Sequence, residues 1–464
     1  MTDYKANDWL NASEVENVLH SSIPDDGRIR DVLQKSRELK GLNMADVATL
    51  CHIATPEQTE ELFETARSVK ERIYGHRMVL FAPLYISNVC GNECTYCAFR
   101  ASNKALPRTA LDMAGIKRDT AELIRQGHKR LLMVAGEGYS AANGGFQYVL
   151  DAIAAVYDVT DATGNIRRLN VNLAPLELEQ FRLLKDAGIG TYQLFQETYH
   201  RDTYASVHLS GKKRDFDWRV SGLDRAMQAG VDDVGMGVLF GLHDWRFELL
   251  SLMQHIQHLE DAFGVGCHTI SVPRIEPADG SELSNAPPAQ VSDTDFKKLV
   301  AILRLAVPYT GLILSTRESA AIRRECYALG VSQISAGSRT NPGGYSEDTA
   351  AGQFQLGDHR SLEEIVQELS SMGFIPSFCT ACYRLGRTGQ DFMDLAKPGL
   401  IKLKCDPNAV TTFQEYLIDY ASESARCEGE KAIGCELEGM SDKARRTSER
   451  MLTRIRNGKR DLYC

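Results

Sequence analysis

Eight short apolar runs punctuate residues 78–337: MVLFAPLYIS (78–87), RLLMVAG (130–136), LNVNLA (169–174), TYQLFQE (191–197), VGMGVLFG (234–241), HTISVP (268–273), LILST (312–316) and VSQISAG (331–337). Near-continuous apolar character of this kind predicts strands buried on both faces, as in a parallel sheet. Amphipathic stretches such as LELEQFRLLKDAG and DFKKLVAILRLA lie between them, and Gly127, Gly188, Gly230 and Gly330 stand where helix C-caps favour glycine. Strand–helix units in this number predict an α/β fold closed as a (β/α)8 barrel, with an open doubly wound sheet as the alternative. The barrel is preferred because eight parallel strands close readily.

The chain of 464 residues is too long for one ordinary domain. Residues 1–75 are expected to form a helical region that includes PEQTEELFETARSVKERIYG, and residues 76–360 the barrel. Beyond residue 360 the strand rhythm stops, and residues 361–464 read as a cysteine-rich loop, a helix around TTFQEYLIDYA and a charged tail, SDKARRTSERMLTRIRNGKR, with a solvated helical face. A net charge of −9 argues against a nucleic-acid surface. No apolar run reaches the ~18 residues of a membrane span. The opening segment, MTDYKANDWLNASEVENVLH, lacks the basic start and apolar stretch of a signal peptide, so a cytoplasmic location is expected. In such a reducing compartment the twelve cysteines read better as metal ligands or reactive thiols than as disulfides.

Cys90, Cys94 and Cys97 form C-x3-C-x2-C directly after the first predicted strand. Cubane iron–sulfur clusters are normally held by four thiolates, so three on one loop leave one iron open to an outside ligand. That open iron can bind the amino and carboxylate groups of S-adenosylmethionine (SAM) and pass an electron to its sulfonium, giving a 5′-deoxyadenosyl radical. The position after strand one predicts a site at the C-terminal mouth of the barrel. A structural zinc site is the alternative, but zinc wants four closed ligands and the loop supplies no fourth Cys or His. The loop, with Tyr96 before its last cysteine, resembles that of the radical SAM superfamily. In that superfamily a Gly-Glu pair near the SAM amino group matches Gly136 and Glu137 at the end of the second run. Gln193 and Glu197 end the fourth run and face the same mouth, where contacts to the SAM ribose are expected. Arg219 is a candidate for the SAM carboxylate, with a surface salt bridge as its other reading.

A second trio, Cys379, Cys382 and Cys405, has C-x2-C-x22-C spacing; a zinc ribbon or redox pair is its alternative reading, and two such trios predict two [4Fe-4S] clusters, each one protein ligand short. With this segment the resemblance narrows to the tyrosine lyase maturases of [FeFe]-hydrogenase. It runs from about residue 75 to 420 through LYISNVCGNECTYCAFRASN, GIGTYQLFQETYHRDTY, DDVGMGVLFGL, GVGCHTISVPR, SQISAGSRTNPGGY and FCTACYRLGRTGQDFMDLAKPGLIKLKC. The related thiamine-pathway tyrosine lyase resembles the barrel and lacks the last segment.

The resemblance implies a substrate, L-tyrosine, whose Cα–Cβ bond breaks to give p-cresol and dehydroglycine. It further implies passage of the small fragment through the barrel to the second cluster, where carbon monoxide and cyanide form on an extra iron, with L-cysteine as a further ligand. Implied partners are other hydrogenase maturation proteins and an electron donor, with no nucleic acid and no membrane. His268 opens the sixth run and so belongs at the barrel end opposite SAM; the resemblance makes it the ligand of the extra iron, against a core histidine bonded to a carbonyl. Arg317 ends the seventh run and is the candidate for the tyrosine carboxylate, because a guanidinium binds carboxylates in bidentate fashion; Ser338 and Arg339 follow the eighth run and are expected to assist. Three features depart from the family's pattern: Glu276 where arginine is expected, a glycine-rich GYSAANGGF after Glu137, and Cys267 where proline is usual, read as a small buried hydrophobe. Cys427, Cys435 and Cys464 have no assigned role. Two other readings stand beside this one: a lyase that stops at the amino-acid fragment, and a non-catalytic iron–sulfur scaffold.

Overall fold

The computed structural model describes residues 9–21, 24–138, 144–347 and 352–464. The eight expected strands form, in order, as β1 (Arg77–Ser87), β2 (Arg130–Ala135), β3 (Arg168–Asn172), β4 (Tyr192–Glu197), β5 (Val234–Val238), β6 (Thr269–Ser271), β7 (Gly311–Leu314) and β8 (Gln333–Ser335). Each pairs in parallel with the next, and β8 returns to β1 through Val79↔Gln333, Leu80↔Ile334 and Phe81↔Ser335. The sheet is therefore a closed (β/α)8 barrel and not an open doubly wound sheet.

The helices end largely as read. Gly127, Gly188 and Gly230 adopt φ of +104°, +75° and +86°, the left-handed region that glycine enters without penalty. Gly330 differs: its φ of 170° is extended backbone. Glycine is needed there because a Cβ would stand 2.9 Å from Cβ of Arg304 and 3.1 Å from the Val300 carbonyl. At the start of the chain, helix Pro56–Tyr74 is closed by a capping box between Thr55 and Gln58, with proline in its first turn.

The strand rhythm does not stop at residue 360. A ninth strand, β9 (Ile375–Ser377), pairs in parallel with the first residues of β1 through Arg77↔Ile375, Met78↔Pro376 and Val79↔Ser377. Because β1 is eleven residues long, its start projects below the point where β2 begins to pair, at Ala82↔Leu131. β9 occupies that free edge and delivers Cys379 to the barrel floor. The stretch after it, read from sequence as a loop, is mostly helical. It contains Ala381–Arg384, Gly389–Ala396 and the start of Lys402–Asp419, whose first turn carries Cys405. The charged tail is the helix Asp442–Arg456, which buries Ala444, Ser448, Met451, Leu452 and Ile455 and turns its basic residues outward. Among the described residues no helix is long and apolar enough to cross a membrane.

Candidate functional site

A cavity of about 1500 Å³, open to solvent, occupies the C-terminal mouth of the barrel. It is lined by Cys90, Cys94, Cys97, Tyr96, Gly136, Glu137, Gln193, Glu197, Arg219, Arg317 and Ser338, all expected at this end. Arg339 is not among the lining residues. It is exposed, and its guanidinium turns back to the Ser338 carbonyl at 3.2 Å. The two neighbours are thus placed differently: the chain turns at Gly337 (φ +60°), and of the pair only Ser338 is buried against the cavity.

The cysteine loop is pinned from two sides. Gly91 N–H donates to the Glu137 carbonyl (3.0 Å), while Glu93 and Thr95 N–H donate to the Ser210 and Val207 carbonyls (3.0 Å each). Gly136 and Gly138 allow the second strand's end to lie against this loop, since a Cβ on either would fall 2.4 Å from the Val89 carbonyl. Both β1 and β4 shift register at their mouth ends, β4 between Phe195 and Glu197, and Glu197 takes φ +73°. A non-glycine residue in that region costs ~1–3 kcal/mol and is held by its surroundings.

Those surroundings are ionic. Glu197 accepts from Lys213 (2.7 Å) and Arg219 (3.3 Å); Arg219 also donates to Glu137 (3.1 Å) and to the Phe195 carbonyl (2.8 Å). Asn92 adds a further donor to Glu137. Burial by itself would raise the Glu197 carboxyl, but Lys213 and Arg219 outweigh it and hold the group below its usual range. Arg219 is thus neither a surface salt bridge nor free, but the clamp between two site carboxylates, with its side chain 5 % exposed.

Sequence reasoning missed His208, which fixes Tyr96. Its Nδ1 donates to the Tyr204 carbonyl (2.9 Å), so its Nε2 accepts from the Tyr96 hydroxyl (2.8 Å). Burial, with Lys213 and Arg219 adding, pulls this imidazole down to about 2, so it stays neutral. Lys213 and Gln353 were missed as well; Gln353 accepts from Tyr85 (2.8 Å) and reaches the Cys97 sulfur at 3.6 Å. No local pattern marks any of these three, because each acts on a partner distant in sequence.

A second cavity of about 660 Å³ lies at the N-terminal end of the barrel. Cys379, Cys382, Cys405 and His268 all line it, with Arg77, Arg130, Tyr309, Gln333, Tyr383 and Phe392. His268 sits where β6 begins, its ring 4.9 Å from that of Phe392. Tyr383, next to Cys382, enters the barrel floor with its ring 3.3 Å from the Arg168 guanidinium carbon and its hydroxyl 3.3 Å from Thr191 Oγ1. The Cys405 thiol is drawn down by a hydrogen bond from Cys382 and, against burial, by the charges of Arg77 and Arg387. Cys267 lies in the main core, 1 % exposed, with its thiol raised by burial; Cys427 and Cys435 are exposed on the helix Glu423–Gly439. Of the glycine-rich stretch after Glu137, residues 139–143 lie outside the described residues.

The donor sets bear on what each cavity can hold. Three cysteines line the first cavity, with no other Cys or His among its lining residues. Among the described residues no three His, Cys, Asp or Glu side chains converge tightly enough for a single metal ion. The first trio, with no fourth Cys or His beside it, is one ligand short of a closed tetrahedral zinc site and fits a cubane cluster whose fourth iron takes an outside ligand.

A parallel barrel with a three-cysteine loop after its first strand and charged groups around its C-terminal mouth defines a radical SAM enzyme. Residues 84–253 match the model of the radical SAM superfamily, and residues 271–375 that of the biotin and thiamin synthesis associated domain. The chain is 32% identical over 367 residues to 2-iminoacetate synthase of Escherichia coli K12, covering 78% of this chain and 94% of that one. It is 47% identical to the crystal structure of HydG, a maturase of the [FeFe]-hydrogenase, with a TM-score of 0.95 over 98% of this chain and 100% of that one. With HydG from Carboxydothermus hydrogenoformans the identity is 40% and the TM-score 0.83, over 95% and 97%. The chain belongs to the HydG-like family of radical SAM tyrosine lyases. As a radical SAM lyase it uses a [4Fe-4S] cluster and SAM.

Proposed function

We propose that this enzyme cleaves the Cα–Cβ bond of L-tyrosine in the first cavity, giving p-cresol and dehydroglycine. The two-carbon fragment is then converted at the second cavity to carbon monoxide and cyanide for assembly of the [FeFe]-hydrogenase active site. The observation that carries this reading is the pairing of two cysteine trios in cavities at opposite ends of one barrel. On β1, β7 and β8 the inward residues alternate between the two cavities: Val79, Gly311 and Gln333 line the second, Phe81, Ile313 and Ser335 the first. A single layer of side chains separates them, a short path for a two-carbon fragment. Likeness to HydG along nearly the whole chain supports the same reading, whereas likeness to 2-iminoacetate synthase leaves about a fifth of the chain unmatched.

In this scheme Cys90, Cys94 and Cys97 hold the first cluster, which when bound and reduced supplies the electron that splits SAM. Glu137 and Glu197, oriented by Arg219 and Lys213, hold SAM. Arg317, its guanidinium carbon 3.3 Å from the Phe354 ring, and the Ser338 hydroxyl take the tyrosine carboxylate. Cys379, Cys382 and Cys405 hold a second [4Fe-4S] cluster, and His268 an extra iron that L-cysteine completes. An electron donor and other maturation proteins are the expected partners.

The test is anaerobic reconstitution with iron, sulfide, SAM, L-tyrosine and a reductant, followed by assays for p-cresol, cyanide and carbon monoxide. Cys379→Ala with Cys382→Ala should leave p-cresol formation intact and abolish carbon monoxide. If that folded variant loses p-cresol as well, the division of labour between the two cavities is wrong. If the wild type makes p-cresol without carbon monoxide, the enzyme stops at the amino-acid fragment. Absence of 5′-deoxyadenosine would leave only a scaffold.

A further inference from the structure

Glu276 stands on the loop after β6, lines the first cavity and is half-buried. The nearby cation Arg274 is already engaged: it donates to Glu318 at 2.9 Å and to Asp293 at 2.8 Å. Across the same cavity wall Arg317 packs on Phe354, and among the described residues neither Glu276 nor Arg317 has an ion-pair partner within 4.0 Å. The Ser338 hydroxyl, 3 % exposed, also faces this cavity with no hydrogen-bond partner. A carboxylate and a guanidinium close enough to influence each other, yet unpaired, with an unsatisfied buried hydroxyl beside them, form a matched set for a ligand carrying an ammonium and a carboxylate on one carbon. An α-amino acid zwitterion is such a ligand.

We infer that Glu276 is a substrate-positioning residue that holds the ammonium group of the amino-acid substrate while Arg317 and Ser338 hold its carboxylate. This rests on the amino-acid lyase reading above and adds the amine contact to it. Glu276 fixes the substrate nitrogen from the β6 side of the mouth, and the side chain is then left to fill the apolar part of the cavity formed by Phe81, Leu132 and Ile313. Burial, with Glu318 adding and Arg317 and Arg274 opposing, moves the Glu276 carboxyl up to about 7 in the empty site. Ammonium binding needs the ionised carboxylate, so affinity should fall as pH drops below about 7.

The reconstituted holoprotein with SAM is titrated with L-tyrosine and with 3-(4-hydroxyphenyl)propanoate, which lacks the amino group. Wild type should prefer tyrosine by at least about tenfold, the usual size of one charge-assisted hydrogen bond. Glu276→Gln should erase most of that preference by weakening tyrosine alone, and should flatten its pH dependence; Glu276→Asp should restore part of it. Iron content and 5′-deoxyadenosine formation report that each variant is folded and loaded. A fully loaded E276Q protein that keeps the preference and the pH profile would overturn the assignment. Amine-dependent binding without cleavage in the wild type would instead sink the tyrosine lyase reading and leave the clamp standing.

Discussion

At the scale of single residues, the molecule tolerates buried charge only where partners are at hand, and the exceptions are informative. Arg219, Glu137, Glu197 and Lys213 satisfy one another, so truncating Arg219 would strand two carboxylates. His128 is the opposite case. It is fully buried where β2 begins, neither ring nitrogen has a partner, and burial, aided by Lys129, pulls it down to about 3. Its ordinary value is near 6.5, so between about 6.5 and 3 the unfolded chain binds a proton that the native state refuses. Stability from this group is complete above pH 6.5 and is lost as the pH falls. The loss approaches ~1.4 kcal/mol per pH unit. His128→Leu should therefore flatten the fall of the urea midpoint between pH 6.5 and 5, measured by circular dichroism. An unchanged slope would show that other groups, such as buried His208 or His255, dominate.

At the scale of elements, two strand ends and one loop share very little space. Gly136 and Gly138 each lie where a methyl group would meet the Val89 carbonyl at 2.4 Å, one residue before Cys90. Gly136→Ala must push the cysteine loop away from β2, because the obstacle is backbone and not the end of a flexible side chain. The variant should lose the iron of the first cavity and 5′-deoxyadenosine formation and, on the two-cluster reading, keep the iron of the second. Iron analysis and electron paramagnetic resonance on the reconstituted protein check this. Equal loss of both clusters would point to global misfolding instead. The glycine and the cysteines were visible in the sequence as strand-end punctuation. The reason for the glycine, a carbonyl 47 residues earlier, was not. β9 escaped for a related reason: three residues carry almost no periodicity, and only the free edge of β1 makes them a strand.

At the scale of the whole molecule, the barrel is a partition with a cysteine-lined cavity at each end. The layer between the cavities is thin and partly polar, with Thr269 near its middle: a Cβ on Gly235 would lie 2.5 Å from its Oγ1, and one on Gly311 3.2 Å from its Cγ2. Thr269→Leu adds bulk between the cavities without replacing a cysteine or a residue that lines either one. On the two-cavity reading, p-cresol output should stay within about twofold while carbon monoxide falls by roughly tenfold, since one added heavy atom is enough to be felt in a packed interior. Gas chromatography of both products from one reaction checks the split. Parallel loss of the two would mean that the fragment does not pass this way.

The number and order of the barrel strands, the placement of one cysteine trio at each end and the position of His268 were legible in the sequence. Strand runs and short cysteine spacings are local: they follow from the chain's own periodicity and from the rule that β1 hands its next loop to the C-terminal mouth. What tertiary structure alone decided were the pairings of distant groups. Tyr96 meets His208, Arg219 bridges Glu137 and Glu197, Tyr383 settles on Arg168, and Glu276 shares a wall with Arg317. It also put Ser338 on the cavity wall while the Arg339 guanidinium bonds the Ser338 carbonyl. Such contacts join segments tens to hundreds of residues apart, and which side chains meet depends on barrel closure and register, to which no local window of sequence has access.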